Sequence, residues 1–124
     1  MMENNKNETA IIVTVGETKI KAVLNNSKTA KDLISKLPYT IRLNRYEYDY
    51  CGTVDESLQF DEKDKHNCWI NGEIAYVGNY FSILFDGEEQ SQGYSDMITI
   101  GHIKDDLKLM KELGYQIEVT VSLV

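Results

Sequence analysis

A chain of 124 residues, 42% hydrophobic and 27% charged, has the length and composition of one globular domain that folds without needing disulfides or a structural metal. Its net charge of −7, from 13 Lys and Arg against 20 Asp and Glu, repels phosphate backbones and anionic lipid, so neither nucleic acid nor a membrane surface is expected as a partner. No apolar run approaches the roughly 20 residues of a membrane helix.

Met1 to Thr9 is polar, with no basic segment leading into an apolar run, and reads as a flexible tail (residues 1–9) ahead of a single domain over residues 10–124. Ile11, Val13 and Val15 alternate with Ile12 and Thr14, and Ile20, Ala22 and Leu24 alternate with Lys19, Lys21 and Val23; Gly16-Glu17 is the turn of a β-hairpin between them. Ser27 or Thr29 then caps a helix carrying Ala30, Leu33, Ile34 and Leu37 on one face, with Asp32 placed as in a capping box, and Pro38 ends it. Tyr39, Ile41 and Leu43 alternate with Thr40, Arg42 and Asn44. The pattern resumes in Tyr46, Tyr48 and Tyr50 against Glu47 and Asp49, as a second strand or as one bent strand.

Asp55 to Lys65 is dominated by charge and is expected to be a surface loop anchored by Leu58 and Phe60. Trp69-Ile70, Glu73 to Val77 and Tyr80 to Phe85 are β-like runs separated by Asn71-Gly72 and Gly78-Asn79, which suits a meander. After a polar loop, Asp86 to Gly93, a strand from Met97 to Ile100 leads into Gly101. A second helix follows, with Asp105 as N-cap, Leu107, Met110 and Leu113 as buried stripe with help from Leu109, and Gly114 as its left-handed closing residue. Ile117, Val119, Val121 and Leu123 alternate with Gln116, Glu118, Thr120 and Ser122 in the last strand.

This order, with the string Ala22-Val23-Leu24-Asn25-Asn26-Ser27-Lys28-Thr29-Ala30-Lys31-Asp32-Leu33, then Leu37-Pro38, resembles the bacterial cyclophilin-like family of uncharacterised domains. So do Gly72-Glu73-Ile74-Ala75-Tyr76, Gly93-Tyr94-Ser95 and Ile100-Gly101-His102-Ile103. The resemblance spans roughly residues 11 to 124 and implies a mainly β fold, a closed cyclophilin-like β-barrel with two short α-helices. Gly101-His102-Ile103 also resembles the end of true cyclophilins, where a Phe-Gly-Lys-Val string has the comparable place. Those enzymes isomerise peptidyl-proline bonds with an arginine in a Phe-His-Arg string, a Gln-Gly-Gly-Asp string and an aromatic proline pocket. Neither string occurs here, and a barrel alone does not lower a barrier of roughly 20 kcal/mol without a donor at the twisted amide.

Arg42 and Arg45, the only arginines, lie where that resemblance places a catalytic arginine. The Arg42 guanidinium can hold a carboxylate or amide carbonyl, or pair at the surface with one of the 20 acids. The tyrosine strand suits either a ligand groove or half-buried packing. The candidate binding set is Arg42, Tyr46, Tyr48, Phe81, Phe85 and Tyr94. Two functions use it: a non-catalytic binding module for a peptide or small, anionic ligand, or a divergent prolyl isomerase with Arg42 as donor and Phe81, Phe85 and Tyr94 as proline pocket. A subunit whose barrel serves assembly is a third, and the residues fix no oligomeric state.

His66 and Cys68 are spaced as potential zinc ligands, with Cys51 or Asp64 to complete a set, but they lack a second clustered pair, so neither a metal nor another cofactor is expected. The runs Asp55 to Asp64 and Asp86 to Glu89 lack the spacing of a calcium loop and read as solvated surface, His102 as structural or exposed. Trp69 is a core or barrel-end anchor, or the floor of a pocket. Cys51 and Cys68 suit a reducing cytoplasm, with one isolated disulfide or an earlier-removed leader as the alternatives.

Overall fold

The computed structural model describes residues 7–124. Eight strands close into an antiparallel barrel: β1 (Thr9–Val15), β2 (Thr18–Leu24), β3 (Tyr39–Arg45), β4 (Asp49–Thr53), β5 (Glu73–Val77), β6 (Tyr80–Leu84), β7 (Ile98–Ile103) and β8 (Gln116–Leu123). Their order around the wall is β1-β2-β7-β5-β6-β4-β3-β8, and pairing of β1 with β8, from Ile11 opposite Leu123 to Thr14 opposite Thr120, closes it. The class is therefore mainly β with a closed barrel, as the alternation and the resemblance imply. The tail expected over residues 1–9 lies outside the described residues as far as Lys6, and Thr9 already belongs to β1.

Inward positions follow the period of two: Val13, Ile20, Leu43, Ile74, Ile83 and Val119 have no exposed surface. Helix α1 (Lys28–Ile34) joins the end of β2 to the start of β3, and α2 (Lys108–Lys111) joins the end of β7 to the start of β8. Because β2 and β7 run antiparallel, these two connections lie at opposite ends of the barrel. Ala30 and Leu33 from α1 and Met110 from α2 are fully buried in the same core as the strand residues, so the helices plug the two mouths. No helix among the described residues is long and apolar enough to cross a membrane.

The helix ends follow the sequence expectation only in part: of the two cap candidates one is right, and the rest is built differently. Ser27, not Thr29, caps α1, its Oγ accepting from the Ala30 N–H at 3.1 Å. Thr29 is buried and its hydroxyl has no hydrogen-bond partner, while Asp32 accepts instead from the Gln59 N–H and from Lys36 Nζ. At α2 the Asp105 carboxylate accepts from the Lys21 N–H of β2 at 2.8 Å, and it is Asp106 that accepts from the first helical N–H, of Lys108. Gly114 is not left-handed. The closing carbonyls find side chains instead: Arg45 Nη1 donates to Lys111 O at 2.6 Å and to Leu113 O at 3.3 Å, and Tyr50 Oη lies 2.9 Å from Leu113 O and 2.8 Å from Gly114 O. A planar cation that serves several carbonyls removes the need for a glycine turn.

Three further expectations are corrected. Tyr46, Tyr48 and Tyr50 do not share a strand face, because β3 ends at Arg45 and the Tyr46 N–H donates to Asp49 O across a hairpin turn. Trp69-Ile70 is not a strand; Cys68 before it has φ +73° and the chain there is irregular. Phe60 anchors nothing in the core, being 42% exposed with the Lys65 ammonium 4.9 Å from its ring centre, whereas Leu58 is buried.

Replacing Thr29 by Val removes a buried hydroxyl without changing shape and is expected to stabilise the fold by about 1 kcal/mol in urea titration with an unchanged slope. Arg45→Met leaves the α2 carbonyls short of donors and is expected to cost about 1.5–3 kcal/mol in the same measurement.

Candidate functional site

A strand with one wet face alternates between apolar and polar residues, and β5 and β6 do not. Ile74, Ala75 and Tyr76 are all buried, as is every residue from Phe81 to Phe85. Their inward side chains belong to the barrel core. Their outward ones, Ala75 and Leu84, pack with Trp69 and Met97, flanked by Tyr48 and Val77, into a second small core on the outer wall.

The covering chain is held by its own polar groups. His66 and Met97 exchange backbone hydrogen bonds of 2.9 Å, and the Cys68 N–H donates to Tyr94 O. The Trp69 N–H donates to Ser91 Oγ at 3.2 Å and its indole Nε1–H to Asp86 O at 2.9 Å, which fixes the ring at both ends. The Tyr48 ring centre lies 6.1 Å from that of Trp69, and the Tyr94 ring centre 4.9 Å from it, edge-on at 69°.

Beside this outer core the wall opens into a cavity of about 280 Å³. Its walls come from Tyr48, Trp69, Tyr80, Tyr94, Val77 and Met97, and its floor from Asp49, Cys51 and Ser82, with the exposed Glu47 and Ser95 at the edge. Cys51 and Ser82 are register partners on β4 and β6, and Asp49 follows the same outward phase as Cys51. Burial pushes the Asp49 carboxyl above the usual carboxylate range, with the Ser82 hydroxyl working against the shift. Burial also raises the Cys51 pKa, so this thiol stays protonated at neutral pH and is a poor nucleophile. Both cysteines are free thiols.

Of the candidate residues, the structure brings only Tyr48 and Tyr94 to this cavity. Arg42 is exposed on β3 opposite Glu118 of β8 and does not line it. Tyr46, 57% exposed, stands in the β3–β4 turn. Phe81 and Phe85 are corrected to core residues: the outward phase of β6 falls on Ser82, and the Phe85 ring packs tilted against Tyr50 at 5.6 Å beneath the Arg45 guanidinium. The expected proline pocket of Phe81, Phe85 and Tyr94 therefore does not form, since the barrel wall separates its members. His66 and Cys68 line a separate depression beside Trp69, where His66 Nε2 lies 2.8 Å from Thr99 Oγ1. Among the described residues no three ligating side chains gather as a metal site.

Trp69, weighed in the sequence as anchor or pocket floor, serves as anchor and wall at once. Asp49, Cys51, Ser82 and Met97 carry no spacing signal; the uninterrupted apolar run Ile83-Leu84-Phe85 was the available clue that β6 has a covered outer face.

Residues 13–122 match the family model described as Cyclophilin-like family. The chain is similar to the solution structure of a hypothetical protein from Archaeoglobus fulgidus, with a TM-score of 0.77 at 17% identity over 99% of this chain and 100% of that one. At that identity the likeness is one of fold. No curated protein matches the chain.

The raised Asp49 pKa has a consequence for stability. The folded protein holds this proton more tightly than the unfolded chain, so stability falls as pH rises from the unfolded value through the folded one, and the penalty is complete above the latter. Asp49→Asn is expected to be more stable than the parent at pH 7 in urea titration. The difference should vanish below about pH 3.9, the ordinary aspartate value.

Proposed function

We propose that this chain, which belongs to the cyclophilin-like family, is a non-catalytic binding module that seats a small ligand, or one side chain of a peptide, between Tyr48, Trp69 and Tyr94. The observation that carries this reading is the second core on the outer wall, which leaves a concave, mostly apolar site with a few polar groups at its floor. The chemistry of the lining residues favours binding over turnover. No histidine, lysine or arginine is among them; the Cys51 thiol is held protonated by its burial, and the base beside the Ser82 hydroxyl is the Asp49 carboxyl, a weak base with no imidazole to relay the proton.

Two of the walls suit recognition. Trp69 is held rigidly by its hydrogen bonds, and Tyr94, 51% exposed, is free to settle over a bound group. Large rings with few rotatable bonds contribute contact area at low entropic cost.

A thermal-shift screen of metabolites and short peptides tests the reading. Compounds that raise the melting temperature are expected, since a ligand at 100 times its Kd adds about 2.7 kcal/mol. Tyr94→Ala should weaken that shift while Arg42→Ala leaves it intact, and a protease-coupled assay on a proline tetrapeptide should show only the background rate. A screen with no stabilising compound, or a shift that depends on Arg42 and not on Tyr94, would overturn it.

A further inference from the structure

We infer that the group seated in this cavity is a weakly hydrated organic cation, an alkylated ammonium, lying among the rings of Tyr48, Trp69 and Tyr94 with Asp49 as its counter-ion; the inference rests on the binding reading above.

The charges around the cavity are of one sign. Its lining includes two carboxylic acids, Glu47 and Asp49, and no basic side chain. Asp49 is half-buried, and among the described residues no Lys, Arg or His nitrogen lies within 4.0 Å of it. A half-buried carboxylate without a cation is costly, and a ligand that supplies the cation relieves that cost. An anionic ligand would meet both acids at close range and be repelled.

The rings point the same way. The face of an aromatic ring is electronegative and attracts cations within about 6 Å. Three rings elsewhere in this protein already hold a cation: Arg45 lies 5.6 Å from the Tyr50 ring centre and 4.9 Å from that of Phe85, and Lys65 lies 4.9 Å from that of Phe60. Among the described residues the rings of Tyr48, Trp69 and Tyr94 have no such partner, and they line one cavity together with the Asp49 carboxyl.

Size and polarity select the kind of cation. A cavity of about 280 Å³ suits a head group, not an extended molecule. A primary ammonium is strongly hydrated and brings three N–H donors. An alkylated ammonium instead turns methyl groups toward Val77, Leu84 and Met97, which line the same space. The cation can belong to a free small amine or to a methylated lysine of a peptide; the chemistry recognised is the same.

Fluorescence of Trp69, the only tryptophan, reads occupancy directly. The probes are choline, its uncharged isostere with carbon in place of nitrogen, the anion tert-butylacetate, and a short peptide carrying one trimethyl-lysine. Saturable change with choline or with the peptide, at least about fivefold tighter than with the uncharged isostere, is expected. Choline identifies a free amine as the source, and the peptide alone a modified chain. In Asp49→Asn the preference for the cation should shrink toward parity, and full retention would contradict Asp49 as counter-ion. Equal or tighter binding of the uncharged isostere or of the anion overturns the cation and leaves the binding module standing. No response to any probe also overturns the cation, while the broad thermal-shift screen decides the binding module separately.

Discussion

Both faces of β6 are buried from Phe81 to Leu84, and that single constraint organises the outside of this barrel. A sheet segment with no wet face must be covered, and the cover here is an irregular chain running through Trp69 and returning through Met97. Irregular backbone leaves donors and acceptors that need partners. Ser91, Asp86 and the His66–Met97 bridge supply them, and left-handed residues at Cys68 and Asp96 make the bends. The cavity is where this cover stops short of β4, leaving the outward Asp49, Cys51 and Ser82 beneath aromatic walls.

The two mouths of the barrel are sealed by a different logic. α1 is capped locally by Ser27 and contributes Ala30 and Leu33 to the core. α2 is only one turn long and is too short to be stable by itself. It is held by groups from the adjacent wall strands β3 and β4, the Arg45 guanidinium and the Tyr50 hydroxyl on its last carbonyls, with Met110 driven into the interior. Arg45 stacks on Phe85 at 4.9 Å, so this cation also covers the apolar end of the core. Of the two arginines, the one bound into the structure is therefore Arg45, and Arg42 stays at the surface.

The parts legible in the sequence are those governed by local periodicity. The β1–β2 hairpin and β8 alternate buried with more exposed residues over most of their length, with Val23 and Leu123 as exceptions, so their pattern states both the strand and its orientation. The tyrosine run misleads for the same reason: Tyr46, Glu47 and Tyr48 continue an alternating pattern through a turn that contains no glycine, proline or asparagine to mark it. Gly114 misleads because the carbonyls it was expected to serve are taken by Arg45 and Tyr50, more than 60 residues away in sequence. The cavity floor is hidden for a third reason. Asp49 looks like any exposed acid in an alternating strand, and its half-buried place in a cavity shared with Trp69 and Tyr94 depends on long-range contacts.

How firmly the cavity is shaped follows from the two tyrosines beside Trp69. Gly87 has φ +83°, and a methyl group on it would run into the Tyr48 ring, so the glycine lets that ring lie against bare backbone. The Phe85 N–H donates to Tyr48 O at 2.9 Å, tying the same residue to the end of β6. Tyr48 and Trp69 are thus set in place by backbone and packing before any ligand arrives, whereas the Tyr94 backbone is tied to Cys68 and Ser91 but its half-exposed ring meets Trp69 only edge-on. A site with two fixed walls and one movable one loses little entropy on binding, because only one side chain must be ordered. Its selectivity then lies in the fixed part, the spacing of two rings above a carboxyl on β4, and that spacing is set by the same covering chain that keeps β6 dry.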